Sequence, residues 1–218
     1  MRYGLGRKAA IDSRDNKYPM SLALRRGFQF PSLRLWRFWR AGEILDQGQF
    51  PHCVGFAWRQ WLSSAPLMTR GGPGPNNIYF EAQKLDEWEG EDYSGTSVRA
   101  GAKFLDQQGH IANYLWAQNP DELKKWILTM GTVVVGTNWY SGMDDLTEKG
   151  EAFSTGSILG GHAYVIVGYN RLTRRYRCIN SWGEGWGQKG RFWIREDEMH
   201  KLIFNEYGEA CAAVEKPV

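Results

Sequence analysis

Asn180-Ser181-Trp182-Gly183-Glu184-Gly185-Trp186-Gly187-Gln188-Lys189-Gly190 sets four glycines and two tryptophans into eleven residues. Glycine at that density excludes a regular helix or strand and forces a folded turn. Two tryptophans need an apolar surface to lie on. The flanking runs Tyr176-Arg177-Cys178-Ile179 and Arg191-Phe192-Trp193-Ile194 alternate as strands do. The stretch is therefore a packed turn joining two strands. Asn180, at its head, carries an amide that can accept from one imidazole nitrogen and fix the tautomer of a catalytic base. Trp182 can shield such a bond from water. Taken alone, the stretch reads equally well as a structural Gly/Trp turn.

Upstream, Gly160-Gly161-His162-Ala163-Tyr164-Val165-Ile166-Val167-Gly168-Tyr169 opens on two glycines and continues as a buried strand. A histidine at the head of such a strand can project into a cleft, and the glycines let another backbone come close. The plainer reading is a strand-edge histidine with a structural hydrogen bond. Val133-Val134-Val135 is a further β-branched run. Before Gly131 the apolar period is helical. Val54, Phe56, Ala57, Trp58, Trp61 and Leu62 predict a helix that begins near Cys53, with Pro51 suited to its first turn. Residues 70–77 are a Gly/Pro/Asn loop. A second helix is predicted over 78–88. A third follows a Thr96 or Ser97 cap, and a fourth runs from Pro120 to about Met130.

Helices first and strands second predict an α+β fold of two lobes with a cleft between them. The expected divisions are an arm over 1–40, a helical lobe over 41–118 and a β-rich lobe over 119–218. Within the arm, Arg34-Leu35-Trp36-Arg37-Phe38-Trp39-Arg40 alternates basic and bulky residues, which suits a short strand or an extended surface segment.

Three cysteines, Cys53, Cys178 and Cys211, are too few and too odd in number for a disulfide framework. No Cys-x-x-Cys occurs, and the four histidines do not stand at metal-ligand spacing, so no zinc site is expected. The first twenty residues lack the apolar core of a signal peptide, and no run is long enough to span a membrane. The expectation is a cytoplasmic protein, association with a phage particle included, with no membrane partner. The net charge of +3 is unevenly spread: residues 1–40 hold ten Lys/Arg against two Asp, a net of +8, so the rest sums to −5. Such an arm could meet an acidic partner, but no nucleic-acid motif accompanies it. The favoured expectation is that it docks on the acidic body of its own chain.

The remaining chemistry centres on Gln47-Gly48-Gln49-Phe50-Pro51-His52-Cys53. A thiol at a helix N-terminus feels the positive end of the helix dipole, which favours the thiolate. The Gln47 amide, six residues earlier, can donate to an oxyanion formed at Cys53 beside the Cys53 N–H. A lone cysteine in an apolar helix is more often a small buried hydrophobe.

Taken in order, these three stretches resemble the papain family of cysteine peptidases (clan CA, family C1), in particular its bacterial and phage members. Residues 180–190 match the family's Asn-Ser-Trp-Gly-x-x-Trp-Gly-x-x-Gly turn at every fixed position. Residues 162–169 resemble its His strand, with Tyr164 at a Val position, and residues 47–54 resemble its Cys box. The resemblance implies a two-lobe fold with a helical left lobe and an antiparallel, barrel-like right lobe. It further implies Cys53 as nucleophile, His162 as general base and acid, Asn180 as orienting group and Gln47 as oxyanion donor. Trp182 would cover the His–Asn pair, Gly161 would offer its carbonyl to substrate, and Gly95 in Ser94-Gly95-Thr96-Ser97 would hydrogen-bond substrate backbone. Cys53 and His162 would rest as a thiolate–imidazolium pair. Protein or peptide substrates follow, and no cofactor or metal.

The match departs at Val54, where the family carries an aromatic residue, and at Phe50-Pro51, where its first disulfide would start. His52 stands where a small residue is usual and could perturb Cys53 electrostatically. A long inhibitory pro-segment is not expected; the basic arm folding over the cleft is the alternative form of control. Competing functions are a papain-like acyltransferase or amidase, and a catalytically silent binding protein on a peptidase scaffold.

Overall fold

The computed structural model describes residues 3–10, 12–25, 34–90 and 92–214. After a 3-10 turn over Ser13–Lys17 come six helices: α1 (Ser21–Arg25), α2 (Cys53–Leu62), α3 (Pro75–Gln83), α4 (Val98–Gln107), α5 (Pro120–Thr129) and α6 (Glu196–His200). The strands are β1 (Trp36–Phe38), β2 (Asn113–Trp116), β3 (Val133–Tyr140), β4 (Glu151–Ala152), β5 (Ile158–Asn170), β6 (Arg175–Ile179), β7 (Arg191–Arg195) and β8 (Glu209–Val214). They form one sheet in the order β2-β8-β3-β5-β6-β7-β4, with β1 added to β5. Every pairing is antiparallel except β4 with β7. The α+β expectation therefore holds, with the helices α2–α4 packed together against one side of the sheet.

Side-chain caps start two of the helices. Ser97 caps α4 by accepting from the Ala100 N–H, and Asn119 caps α5 by accepting from Glu122 N–H, with Pro120 at the first position. The second helix is shorter than the predicted 78–88 and stops at Gln83. The reason is Asp86: its carboxylate accepts from Tyr93 Oη, Thr96 Oγ1 and the Trp88 N–H, which holds residues 86–96 as a folded loop. Strands β2 and β8 were not expected; they pair chiefly with each other and β8 with β3. Through β2 and β1, residues from before 119 and before 41 join the sheet.

The long strand β5 serves two cores because successive side chains point to opposite faces. Ala163, Val165 and Val167 meet Cys53, Val54 and Trp58 of α2 in one apolar cluster. Tyr164 and Ile166 meet Trp139, Trp182 and Phe192 in the other. His162 shares the second face, so the histidine stands among aromatic rings while its neighbour Ala163 packs towards α2.

Gly55, on α2 close behind Cys53, has no room for a side chain: a Cβ would lie 2.2 Å from the Pro75 carbonyl oxygen on α3. Gly55→Ala must push α2 and α3 apart, an overpacking cost of about 1–3 kcal/mol, and should lower Tm by roughly 3–10 °C in a thermal melt.

Candidate active site

The loop ahead of α2 is sewn to the turn after β6. Gln47 N–H donates to Ser181 O at 2.8 Å, and Gly183 N–H to Leu45 O at 3.0 Å. Gly183 has φ +73° and lies against Asp46, where a Cβ would come within 2.8 Å of Oδ2. The Gln47 side chain is buried, and its Oε1 accepts from Ser181 Oγ at 2.6 Å. This bond fixes the amide orientation and leaves Nε2 as the donor, to Phe50 O at 2.7 Å and to Gly4 O at 3.1 Å.

His162 lies opposite Thr137 in the β3–β5 pairing. Its Nε2 is 2.7 Å from Asn180 Oδ1. The same Oδ1 accepts from the Ser181 N–H at 2.8 Å, so the amide oxygen faces the ring and His162 Nε2–H is the donor. Nδ1 is left bare, buried and without a hydrogen-bond partner among the described residues. The Trp182 ring lies 4.8 Å from the imidazole, as the sequence suggests. Trp139 stands edge-on at 4.9 Å, a contact that sequence reasoning missed. Its indole is held by Asp144 Oδ1 at 2.7 Å. The signal available for Trp139 was a bulky residue two positions beyond Thr137 on a continuing β-branched strand.

Gln47, Cys53, His162 and Asn180 thus converge, from a loop, a helix end, a strand and a turn. The sulfur faces the N–H groups of Ala163, Gly6 and Val54. Of these, Gly6 belongs to the N-terminal arm.

The arm occupies the cleft. Tyr3 stacks flat on Trp182, with centroids 4.5 Å apart. Gly4 O takes the hydrogen bond from Gln47 described above, and the Gly6 and Arg7 N–H groups donate to Gly161 O at 3.1 and 3.0 Å. Thr96 N–H donates to Gly6 O and Lys8 N–H to Thr96 O, both at 2.9 Å. The backbone partner on the α4 side is therefore Thr96, where the sequence pointed to Gly95. The groups of Gly95 itself are taken up internally, its N–H by Tyr79 Oη at 2.9 Å and its carbonyl by Gln83 Nε2 at 3.3 Å. Gly95 instead supplies clearance: with φ +93°, a Cβ there would lie 2.3 Å from Gly6 O.

Side chains lock the arm with both signs of charge, unlike the expected basic arm on an acidic body. Arg7 Nε donates to Glu209 at 2.9 Å, with both side chains largely shielded from water, and its Nη2 donates to Tyr207 O at 2.7 Å. Lys8 stands 3.8 Å over the rings of Trp88 and Tyr93. Further along, the polarity reverses: the arm's Asp12 and Asp15 pair with Arg99 of α4, which also meets Glu87. Arg2 and Arg26 lie outside the described residues.

With the arm in place Cys53 and His162 are fully buried. Burial raises the thiol to about 11, outweighing the three N–H groups that favour the thiolate. Burial also lowers the imidazole to about 4, against the support of Asn180. Burial with the arm in place thus favours the neutral thiol and the neutral imidazole over the thiolate–imidazolium pair the resemblance implies. His52 does not face the sulfur: it stacks on Tyr79 at 4.0 Å and its Nδ1 meets Asn76 Oδ1 at 2.9 Å. Cys178 and Cys211 are free and buried. No group of metal-ligating side chains occurs among the described residues.

A sequence model of the papain family of cysteine proteases matches residues 76–212, a span that includes His162 and Asn180 and starts after Gln47 and Cys53. A cathepsin B-like cysteine proteinase of Schistosoma japonicum is 27% identical over 67% of this chain and 47% of its own length. A viral cathepsin of a Cydia pomonella granulosis virus is 28% identical over 43% of this chain and 28% of its own. The chain thus spans under half the length of these curated relatives. Xylellain, a cysteine protease from Xylella fastidiosa, superposes with a TM-score of 0.76 over 100% of this chain and 98% of its own, at 18% identity. Bromelain from Ananas comosus does so with a TM-score of 0.62 over 84% and 100%, at 14% identity.

Arg7 is the arm's most buried charged anchor, and removing one partner of a buried ion pair costs about 3–5 kcal/mol. Arg7→Ala should loosen the arm and speed alkylation of Cys53 by iodoacetamide at neutral pH at least ~10-fold, followed by mass spectrometry of the intact protein.

Proposed function

The chain belongs to the papain family of cysteine proteases, and on that premise we propose that it is an endopeptidase acting through a Cys53 thioester, held closed by its own N-terminal arm. The observation that carries the reading is the state of His162: Nε2 is committed to Asn180 at 2.7 Å and Nδ1 is bare and buried, on the residue next to Ala163, whose N–H faces the Cys53 sulfur. An imidazole pinned in that tautomer is a base with one free lone pair.

The arm supports a polypeptide substrate over a smaller acyl donor. It is an extended main chain whose N–H and C=O groups pair with Thr96 and Gly161 on the two walls of the cleft. A peptide substrate would take the same bonds once the arm leaves. Its scissile carbonyl would lie near Gln47 Nε2, the donor that now holds Gly4 O. Water entering with the arm gone removes the desolvation that raises the thiol, and the N-terminus of α2 then favours the thiolate.

In the reaction, His162 Nδ1 accepts the Cys53 proton as sulfur attacks the carbonyl carbon. The developing oxyanion takes hydrogen bonds from Gln47 Nε2–H and the Cys53 N–H. Collapse breaks the C–N bond, and the imidazolium gives its proton to the departing amine. Water, deprotonated by His162, then cleaves the thioester and restores the thiol. Asn180 keeps the ring in register through both proton transfers.

A site-specific cleavage sequence placed between Lys17 and Tyr18 tests both parts of this reading. After cutting, the epoxide E-64 should label the protein and a quenched peptide library should be hydrolysed. Labelling should vanish in Cys53→Ala, and kcat/KM should fall by ~10²-fold or more in Asn180→Ala. Absence of labelling in cut, folded protein would sink the peptidase reading. Equal rates before and after cutting would sink inhibition by the arm while leaving the peptidase reading intact.

A further inference from the structure

Strand β1 is built inside out. An edge strand over a core normally buries its aromatic residues and exposes its charges. Here Leu35, Trp36 and Phe38 are 55%, 56% and 40% exposed. Arg37, between the two rings in the chain, is less exposed than either: its guanidinium lies 4.1 Å from the Trp39 ring, and its Nε is buried without a hydrogen-bond partner among the described residues. Partial loss of hydration, with the Arg34 charge nearby, pulls the Arg37 pKa down. Exposed rings bought at this cost mark a surface made for contact.

The patch extends beyond β1. The Arg171 N–H donates to Leu35 O at 2.8 Å, which sets the β5–β6 hairpin tip beside the start of β1. At that tip Leu172 is 70% exposed. On the other side Phe38 lies over Gly168, where a Cβ would meet its ring at 2.2 Å, and continues edge-on to Trp193 at 5.6 Å. The surrounding cations Arg34, Arg40 and Arg171 are exposed and form no salt bridge among the described residues. Arg174, at the hairpin, is also mostly exposed, with its Nε paired to Glu196.

We propose that this face docks the protein on an anionic lipid surface, with Leu35, Trp36, Phe38 and Leu172 entering the interfacial layer and the surrounding arginines holding lipid phosphates. Aliphatic tips, indole rings and a rim of arginine are the side-chain set that partitions into that layer. Single-stranded nucleic acid fits less well. Its bases need open ring faces, whereas Trp36 and Phe38 cover each other at 5.8 Å and 23°, and two of the four apolar groups are leucines. The inference revises the expectation of no membrane partner, and concerns surface binding alone: no helix among the described residues is long and apolar enough to cross a bilayer. It is also independent of the proposed peptidase reading. Eight residues of strand β5 separate His162 from Asn170, the partner of Trp36, which is about 26 Å of extended chain. Docking there leaves the cleft free.

The test is co-sedimentation of the full chain with vesicles of phosphatidylcholine alone and of phosphatidylcholine mixed with phosphatidylglycerol. Binding to the mixed vesicles only, weakening as salt rises and with a blue shift of tryptophan fluorescence, is the expected result. Leu172→Asp and Trp36→Ser, both at exposed positions, should each lower partitioning by ~10-fold, and Arg34→Gln with Arg171→Gln by ~10–30-fold. Unchanged thermal melts keep these variants interpretable. No binding to the anionic vesicles, equal binding by the variants, or retention by a single-stranded oligonucleotide in place of vesicles would each overturn the proposal.

Discussion

His162 stands on strand β5 and Asn180 in the turn after β6, and the 2.7 Å bond between them sits in a box of aromatic rings. In such a low-dielectric setting a hydrogen bond is stronger than in water, and an unmade one is correspondingly costly. The cluster carries both. His162 Nδ1, Asn180 Nδ2 and Trp182 Nε1 are all buried without partners among the described residues. Buried polar atoms left unpaired cost about 1–3 kcal/mol each, and three in one cluster is a concentration the surrounding structure must support. That support is the Gly/Trp turn, whose Ser181 holds both Asn180 and Gln47 by hydrogen bonds. One residue thereby orients both the Asn180 amide and the Gln47 amide.

The arm meets this cluster with main-chain groups and fixes itself elsewhere with side chains. Its backbone bonds to Thr96 and Gly161 are of ordinary length, while its ion pairs alternate in sign along the chain: Arg7 to an acid, then Asp12 and Asp15 to Arg99. An arm held by charge of one sign could slide along an oppositely charged body. Alternating signs define one register, which places Gly4 and Gly6, the residues without side chains, next to Gln47 and Gly95. The electrostatics of Cys53 and His162 follow from that placement, since both are fully buried with the arm in place.

Sequence legibility followed chemistry that repeats locally. The Ser97 cap and the Asn119-Pro120 start were readable because side chains at those positions bond to backbone a few residues away, and the start of α2 at Cys53 was readable from the apolar period that follows it. The Asn180 turn was readable from glycine and tryptophan spacing. The end of α3 was not, because Asp86 is anchored by Tyr93 and Thr96 from a later loop. Strands β2 and β8 exist by pairing across about a hundred residues, which no local period records. Thr96 was missed for a different reason: its part is played by backbone N–H and C=O, which every residue other than proline carries. Trp139 gave only the signal of a core tryptophan.

The tether of the arm has a pharmacological reading. A ligand attached to its own site acts at an effective concentration on the order of millimolar. On the proposed function, only the fraction of molecules with the arm displaced can bind anything else, and every reversible ligand of the cleft has its apparent dissociation constant divided by that same fraction. Rank order among inhibitors would survive while absolute potency would not. Compounds measured on the covered chain would all look weak by one common factor, set by Tyr3 on Trp182, Arg7 on Glu209 and Arg99 on its aspartates.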